Sequence, residues 1–228
     1  MNFIRYAIYF TPAPGPLATF GAGWLGWDIL TRQIPRPPSI PELANIRQNI
    51  TRTPGRYGFH ATIKPPFRLA QGQSEADLCA GFEALCAGLK PVKLKGLALA
   101  RLGRFLALVP EGDTSALGAL ASHAVRDLDP FRAPLTDAEI AKRRANNLNA
   151  EQDALLPRWG YPYVMDAFRF HMTLTEKMPK TQAKSVQDIL ESHVMPHVPR
   201  PFDVDALSLV GEDTQGRFHL IQRLALQG

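Results

Sequence analysis

Two short runs in this sequence carry side chains suited to proton transfer: GFHATIKPP at residues 58–66 and FRFHMTLTEK at 168–177. Each places His-x-Thr inside a run that reads as a strand. Successive strand side chains point to opposite faces, so residues two apart share a face. His60 and Thr62 therefore point one way, as do His171 and Thr173, while Ala61 and Met172 turn to the other side. Cleaving a phosphodiester needs a base for the attacking oxygen, an acid for the leaving oxygen and donors for the non-bridging oxygens. Imidazole ordinarily titrates near neutrality, so one histidine can be neutral while another is protonated. Two opposed histidines can thus act as base and acid on opposite sides of phosphorus. A threonine hydroxyl on the same strand face can hold a phosphate oxygen. The symmetry of the motifs leaves open which histidine takes which role.

His60, Thr62, His171 and Thr173 are expected to line one cleft around a single phosphate. Tyr57 and Lys64 flank the first motif, and Lys64, four residues from His60, shares its face if the strand stays regular. Arg143 and Arg144, between the motifs, are candidates for a second phosphate. These four complete the expected phosphate-binding set, with Arg5 as an outsider. His123, His193, His197 and His219 read as packed or surface histidines, and Trp24, Trp27 and Trp159 as core or loop anchors. No metal is expected: there is no CxxC, and His193 and His197 flank Pro196 in a stretch that proline breaks. No cofactor is expected either.

The elements that must position these residues follow in order. FIRYAIYF (3–10) reads as a strand stopped by prolines. Leu17, Phe20, Trp24 and Leu25 fit one helical face. A short helix is expected over 40–51, then a turn-rich basic approach at 52–58. Ser74 caps a helix carrying Leu78, Phe82, Leu85 and Leu89. VKLKGLALARL and RFLALVP read as strands joined through Gly103, followed by a helix near 114–128. Thr136 opens a helix with Lys142, Arg143 and Arg144 in its later turns. The second motif strand is expected over 168–175, followed by a helix near 181–194 and the strands FDVDALSLV and RFHLIQRLAL.

The order after each motif is the same: helix, strand, turn, strand. His60 lies 43 residues before the GRF at 103–105, and His171 lies 45 before the GRF at 216–218. A duplicated unit accounts for both spacings. The reading is a single bilobal domain over 1–228, with motif-bearing units at about 58–110 and 168–226. A pseudo-two-fold axis between them would bring His60 and His171 face to face.

With HATI and HMTL each opening on H-x-[ST]-hydrophobic, the chain resembles the 2H phosphoesterase superfamily. RYAIYFTP, RYGFHATIKPPF and RWGYPYVMDAFRFHMTLT are similar to the branch of uncharacterised proteins encoded in bacterial phosphonate-utilisation operons. The resemblance implies an α+β fold of two pseudo-symmetric lobes, each an antiparallel sheet backed by helices, with a central cleft. It also implies a metal-independent cyclic phosphodiesterase, with a phosphorylated ribose cyclic phosphate as an attractive substrate. RNA-end processing, by 2′,3′-cyclic phosphate hydrolysis or 2′–5′ ligation, and non-catalytic binding of a phosphate ester are the competing readings. A net charge of +5 suits a small phosphate ester and is too small to demand long nucleic acid. Composition that is 45% hydrophobic excludes disorder. Cys79 and Cys86, seven residues apart on a helix, are too distant for a disulfide and read as thiols of a reducing compartment. No leader or membrane span is read in FIRYAIYF, so a cytoplasmic protein is expected.

Overall fold

Both motif strands lie side by side near the middle of one antiparallel sheet. The computed structural model describes residues 2–228, which form nine strands and seven α-helices. The strands are β1 (Arg5–Phe10), β2 (Ala61–Phe67), β3 (Val92–Leu94), β4 (Gly96–Leu102), β5 (Phe105–Glu111), β6 (Met172–Thr173), β7 (Phe202–Val204), β8 (Ala206–Glu212) and β9 (Phe218–Ala225). The helices are α1 (Pro16–Leu25), α2 (Ala44–Tyr57), α3 (Glu75–Gly88), α4 (Ser115–Asp127), α5 (Asp137–Arg144), α6 (Ala150–Trp159) and α7 (Lys180–Val194). Seven strands run in the order β4-β5-β6-β2-β1-β8-β9, and β3 pairs separately with β7.

Period-two patterning assigns the two faces. Tyr6, Ile8 and Phe10 of β1 join Ala61, Ile63, Leu108, Met172, Leu207 and Leu209 in the main core. Leu78 and Phe82 of α3, Leu117 and Leu120 of α4, and Val186 and Leu190 of α7 cover that face. Full burial of each such side chain is worth about 1.5–3 kcal/mol. The helices cross between halves: α3 packs on β8 and β9, whereas α7 packs on β4 and β5. β3 and β7 make the same exchange, pairing Lys93 with Asp203. The architecture is thus α+β and antiparallel, and the halves share one continuous sheet through β2 and β6 rather than carrying separate ones.

Several local expectations change. The second motif strand shrinks to Met172–Thr173, because Leu174 and Thr175 N–H both converge on Leu106 O of β5 and Glu176 N–H then turns to Ile50 O at 2.6 Å, which ends the regular ladder. The strand expected over VKLKGLALARL divides after Leu94, where β3 leaves to meet β7. The stretch 52–57 is the end of α2, which runs through Pro54. The helix α6 was not expected. An Asn149–Gln152 capping box starts it and Gly160, in the left-handed region, ends it. Among the described residues no helix is long and apolar enough to cross a membrane.

Candidate active site

The site is built on one cross-strand pair. Ala61 of β2 stands opposite Met172 of β6, and both are fully buried on the helix-covered face. Continuing this antiparallel register sets His60 beside Thr173 and Thr62 beside His171, all on the other face. Directly opposite Cβ atoms in such a pair lie roughly 4.5–5.5 Å apart and diagonal ones roughly 7–8 Å. The two imidazoles stand in this diagonal relation.

Both rings are clamped alike. His60 Nδ1 donates to Gly58 O at 2.9 Å, and His171 Nδ1 donates to Arg169 O at 2.8 Å. A carbonyl can only accept, so each neutral ring carries its proton on Nδ1 and leaves Nε2 for chemistry. Gly58 makes this possible for His60. Its φ is +69°, and a Cβ there would meet Ile29 Cγ1 at 2.4 Å. His60 Nε2 lies 3.1 Å from Thr62 Oγ1, whose hydroxyl donates to it.

The surroundings of the two rings differ. Tyr9, from β1, stacks on His60 with centroids 3.7 Å apart and an interplanar angle of 19°. Tyr9 is paired with Thr62 across the strands and packs with Trp27, Val210 and Phe218 in a second apolar cluster. Burial pushes the His60 pKa down to about 4. The Gly58 hydrogen bond opposes this shift, and the charge of nearby His171 adds to it. His171 instead meets Phe105 of β5, with centroids 5.8 Å apart and rings tilted by 53°.

These groups adjoin a cleft of about 720 Å³, within the usual range for a small-molecule site. His60, Thr62 and Thr173 are in its wall, with Tyr9, Tyr57, Phe105 and Tyr161 as aromatic surfaces. Arg5, Arg143 and Lys177 bring positive charge, and Glu176 brings one carboxylate. His171 lies just outside the wall, beside Phe105, which is part of it.

Two expected phosphate ligands are elsewhere. Lys64 does not share the His60 face. The register passes from Tyr9↔Thr62 to Ile8↔Lys64, so Ile63 is an extra residue, a β-bulge that reverses the alternation. Lys64 therefore points to the helix side, 1% exposed. There it donates to Val125 O at 2.9 Å and lies 3.6 Å from Asp129. Arg144 places both arms of its guanidinium on Asp153, at 2.7 and 3.1 Å. Adjacent helical residues point about 100° apart, so α5 turns Arg143 toward the cleft and Arg144 away. Tyr57 and Arg143 do reach the wall.

Tyr9, Phe105 and Tyr161 were not singled out from the sequence. The alternation in RYAIYF does place Arg5, Ala7 and Tyr9 on one face. That this face borders the cleft depends on pairing with strands more than 50 residues away.

A family model described as "Protein of unknown function (DUF1045)" matches residues 62–219. Ribose 1,5-bisphosphate phosphokinase PhnN of Janthinobacterium sp. (strain Marseille) is 40% identical over 100% of this chain and 52% of its own length. The protein of the same name from Laribacter hongkongensis (strain HLHK9) is 33% identical over 97% of this chain and 51% of its own. The chain spans about half the length of these curated relatives. It contains no Gly-x-x-x-x-Gly-Lys-Ser/Thr phosphate loop. A crystal structure of a phosphoesterase aligns over 100% of both chains at 12% identity and a TM-score of 0.43. E. coli LigT complexed with NADP+ aligns over 100% of both chains at 14% identity and a TM-score of 0.44. Scores this low carry no chemistry from those proteins to this one. The family match covers well over half of the sequence, and the chain belongs to the DUF1045 family of proteins of unknown function.

Proposed function

We propose that this protein is a phosphodiesterase that opens a small cyclic phosphate ester by two-histidine acid–base catalysis without a metal. The observation that carries the reading is the Ala61↔Met172 register, with both imidazoles clamped through Nδ1. It supports a pair of Nε2 atoms flanking one phosphate, with a threonine hydroxyl beside each.

In the proposed reaction a water oxygen attacks phosphorus. His60 is the base, since burial keeps it neutral well below neutral pH, and its Nε2 takes a proton from that water. The P–O bond to one ring oxygen breaks. His171 gives that oxygen a proton, so the cyclic diester plus water becomes a monoester and a hydroxyl. Thr173 donates to a non-bridging oxygen, where charge accumulates, and the Thr62 hydroxyl, which caps His60 Nε2 in the free protein, turns to another when the attacking water takes its place on Nε2. Proton transfers of this kind contribute about 10²–10⁴-fold.

The favoured substrate is a phosphorylated ribose cyclic phosphate. The motifs' likeness to a phosphonate-operon branch of the 2H phosphoesterases supports it, as does the name of the curated relatives. Opening a 1,2-cyclic phosphate of 5-phosphoribose at O2 leaves a phosphate on C1. The product is ribose 1,5-bisphosphate, the compound in that name.

The test is a panel of sugar, mononucleotide and oligonucleotide cyclic phosphates, followed by phosphorus NMR in EDTA. The proposal predicts opening of the small sugar or mononucleotide esters, and loss of opening in His60→Ala and His171→Ala. Turnover confined to oligonucleotides would favour RNA-end processing. Tight binding without product would favour a binding protein.

A further inference from the structure

We infer that the cleft holds a second anion subsite, centred on Arg143, for a phosphate monoester that the substrate carries apart from the phosphodiester being opened. This rests on the proposed reading of the cleft as a cyclic phosphodiesterase site.

The first observation is position. Tyr9 stands opposite Thr62, at the level of the first motif. Arg5 is four residues back on the same strand face, an advance of about 13 Å at the usual rise. Arg5, Pro65, Pro66 and Arg143 together form that end of the cleft. An advance of that length is on the scale of a phosphorylated sugar.

The second observation is charge. The same four residues also border a small adjoining cavity of about 20 Å³, whose walls include Lys64, Arg68 and Arg132. That volume holds about one water, so its contribution to an anion is potential rather than space. Its cations are partly spoken for. Arg5 pairs with Glu212, Arg68 with Glu139 at 2.8 Å, and Arg132 and Lys64 share Asp129. Five cations thus face three carboxylates.

The third observation singles out Arg143. Among the described residues no carboxylate pairs with it. Its guanidinium lies over the Tyr161 ring, 4.8 Å from the centroid. No hydrogen bond among the described residues takes an Arg143 side-chain N–H, so these donors remain for phosphate oxygens, which a guanidinium matches in a fork. Arg143 is half-buried, while Lys142 and Arg144 on either side are exposed. The geometry suits a pinned donor, preorganised for a dianion. The ligand class is a sugar phosphate bearing a cyclic phosphodiester at one end and a monoester at the other.

The experiment compares kcat/KM for 5-phosphorylated ribose cyclic phosphate with that for the same ester lacking the 5-phosphate. The wild type should favour the phosphorylated form by about 10- to 100-fold, the usual worth of a charge-assisted contact. Arg143→Gln should lose most of this preference through KM, whereas Arg144→Gln should keep it. A preference that survives in Arg143→Gln, or that disappears in Lys177→Gln instead, overturns the assignment. A second arm measures ribose 5-phosphate binding by calorimetry and needs no turnover. Weaker binding to Arg143→Gln than to wild type supports the subsite even if no cyclic ester is opened. Equal binding to both, or none to either, removes it. Binding at Arg143 without ring opening would refute the proposed reaction and leave the subsite standing.

Discussion

The two His-x-Thr motifs share one backbone device and two different neighbourhoods. In each, the imidazole Nδ1 is tied to the carbonyl two residues earlier. Around His60, β1 supplies the stacked Tyr9 and the apolar cluster behind it. Around His171, β5 supplies only the tilted Phe105. β2 is seven residues long and bulged, whereas β6 has two. The comparison shows how like motifs acquire unlike surroundings: the clamp sets the tautomer, and the flanking strand sets the burial, which at His60 pushes the pKa down to about 4.

The largest expected effect comes from removing either imidazole. His60→Ala and His171→Ala should each lower kcat by about 10²–10⁴-fold. The double variant should be little worse than either single one, because the two act as a unit. If one variant alone is inactive, the division of labour proposed here is wrong.

Next come the hydroxyls. Thr62→Val should cost more than Thr173→Val, within about 10- to 100-fold, because Thr62 also bonds His60 Nε2. Equal losses would mean that His60 needs no help from its own strand.

Tyr9→Leu should shift the pH profile. Removing the stacked ring admits water, so the His60 pKa rises from about 4 toward its ordinary 6.5. The acid limb of kcat/KM should move up with it, leaving the rate above pH 7 much less affected. The same shift bears on stability. A histidine whose folded pKa is depressed contributes stability that is fully present above pH 6.5 and is lost as pH falls toward 4. Thermal melts across that window should therefore have a shallower pH slope in Tyr9→Leu.

The smallest effect belongs to Lys64. On the helix face, with its ammonium on the last turn of α4, it favours the helix C-terminus. Lys64→Met should leave kcat unchanged and show itself in melting temperature, with at most a small rise in KM from the charge lost beside the Arg143 subsite. A loss of turnover would place Lys64 back in the cleft.

Much of this site could be read from local alternation. His60 with Thr62 and His171 with Thr173 are set by the two-residue period, which needs only three residues of extended backbone. Lys64 was misplaced because one bulge residue, Ile63, reverses parity, and bulges have no sequence signature here. Tyr9 was missed because its role comes from pairing with Thr62, 53 positions on. The order of elements after each motif was legible from hydrophobic pattern and turn residues. The exchange of helices and of β3 with β7 between halves was not, because it depends on which buried faces meet. Arg143 and Arg144 looked alike in sequence, and helical geometry alone separates them.

The most direct test of the asymmetry is a nitrogen-15 NMR titration of the histidine side chains, with His60→Gln used to assign the His60 signals. The account predicts that His60 stays neutral, as the Nδ1–H tautomer, down to about pH 4. A His60 ring that protonates near its ordinary 6.5, or that carries its neutral proton on Nε2, would contradict it.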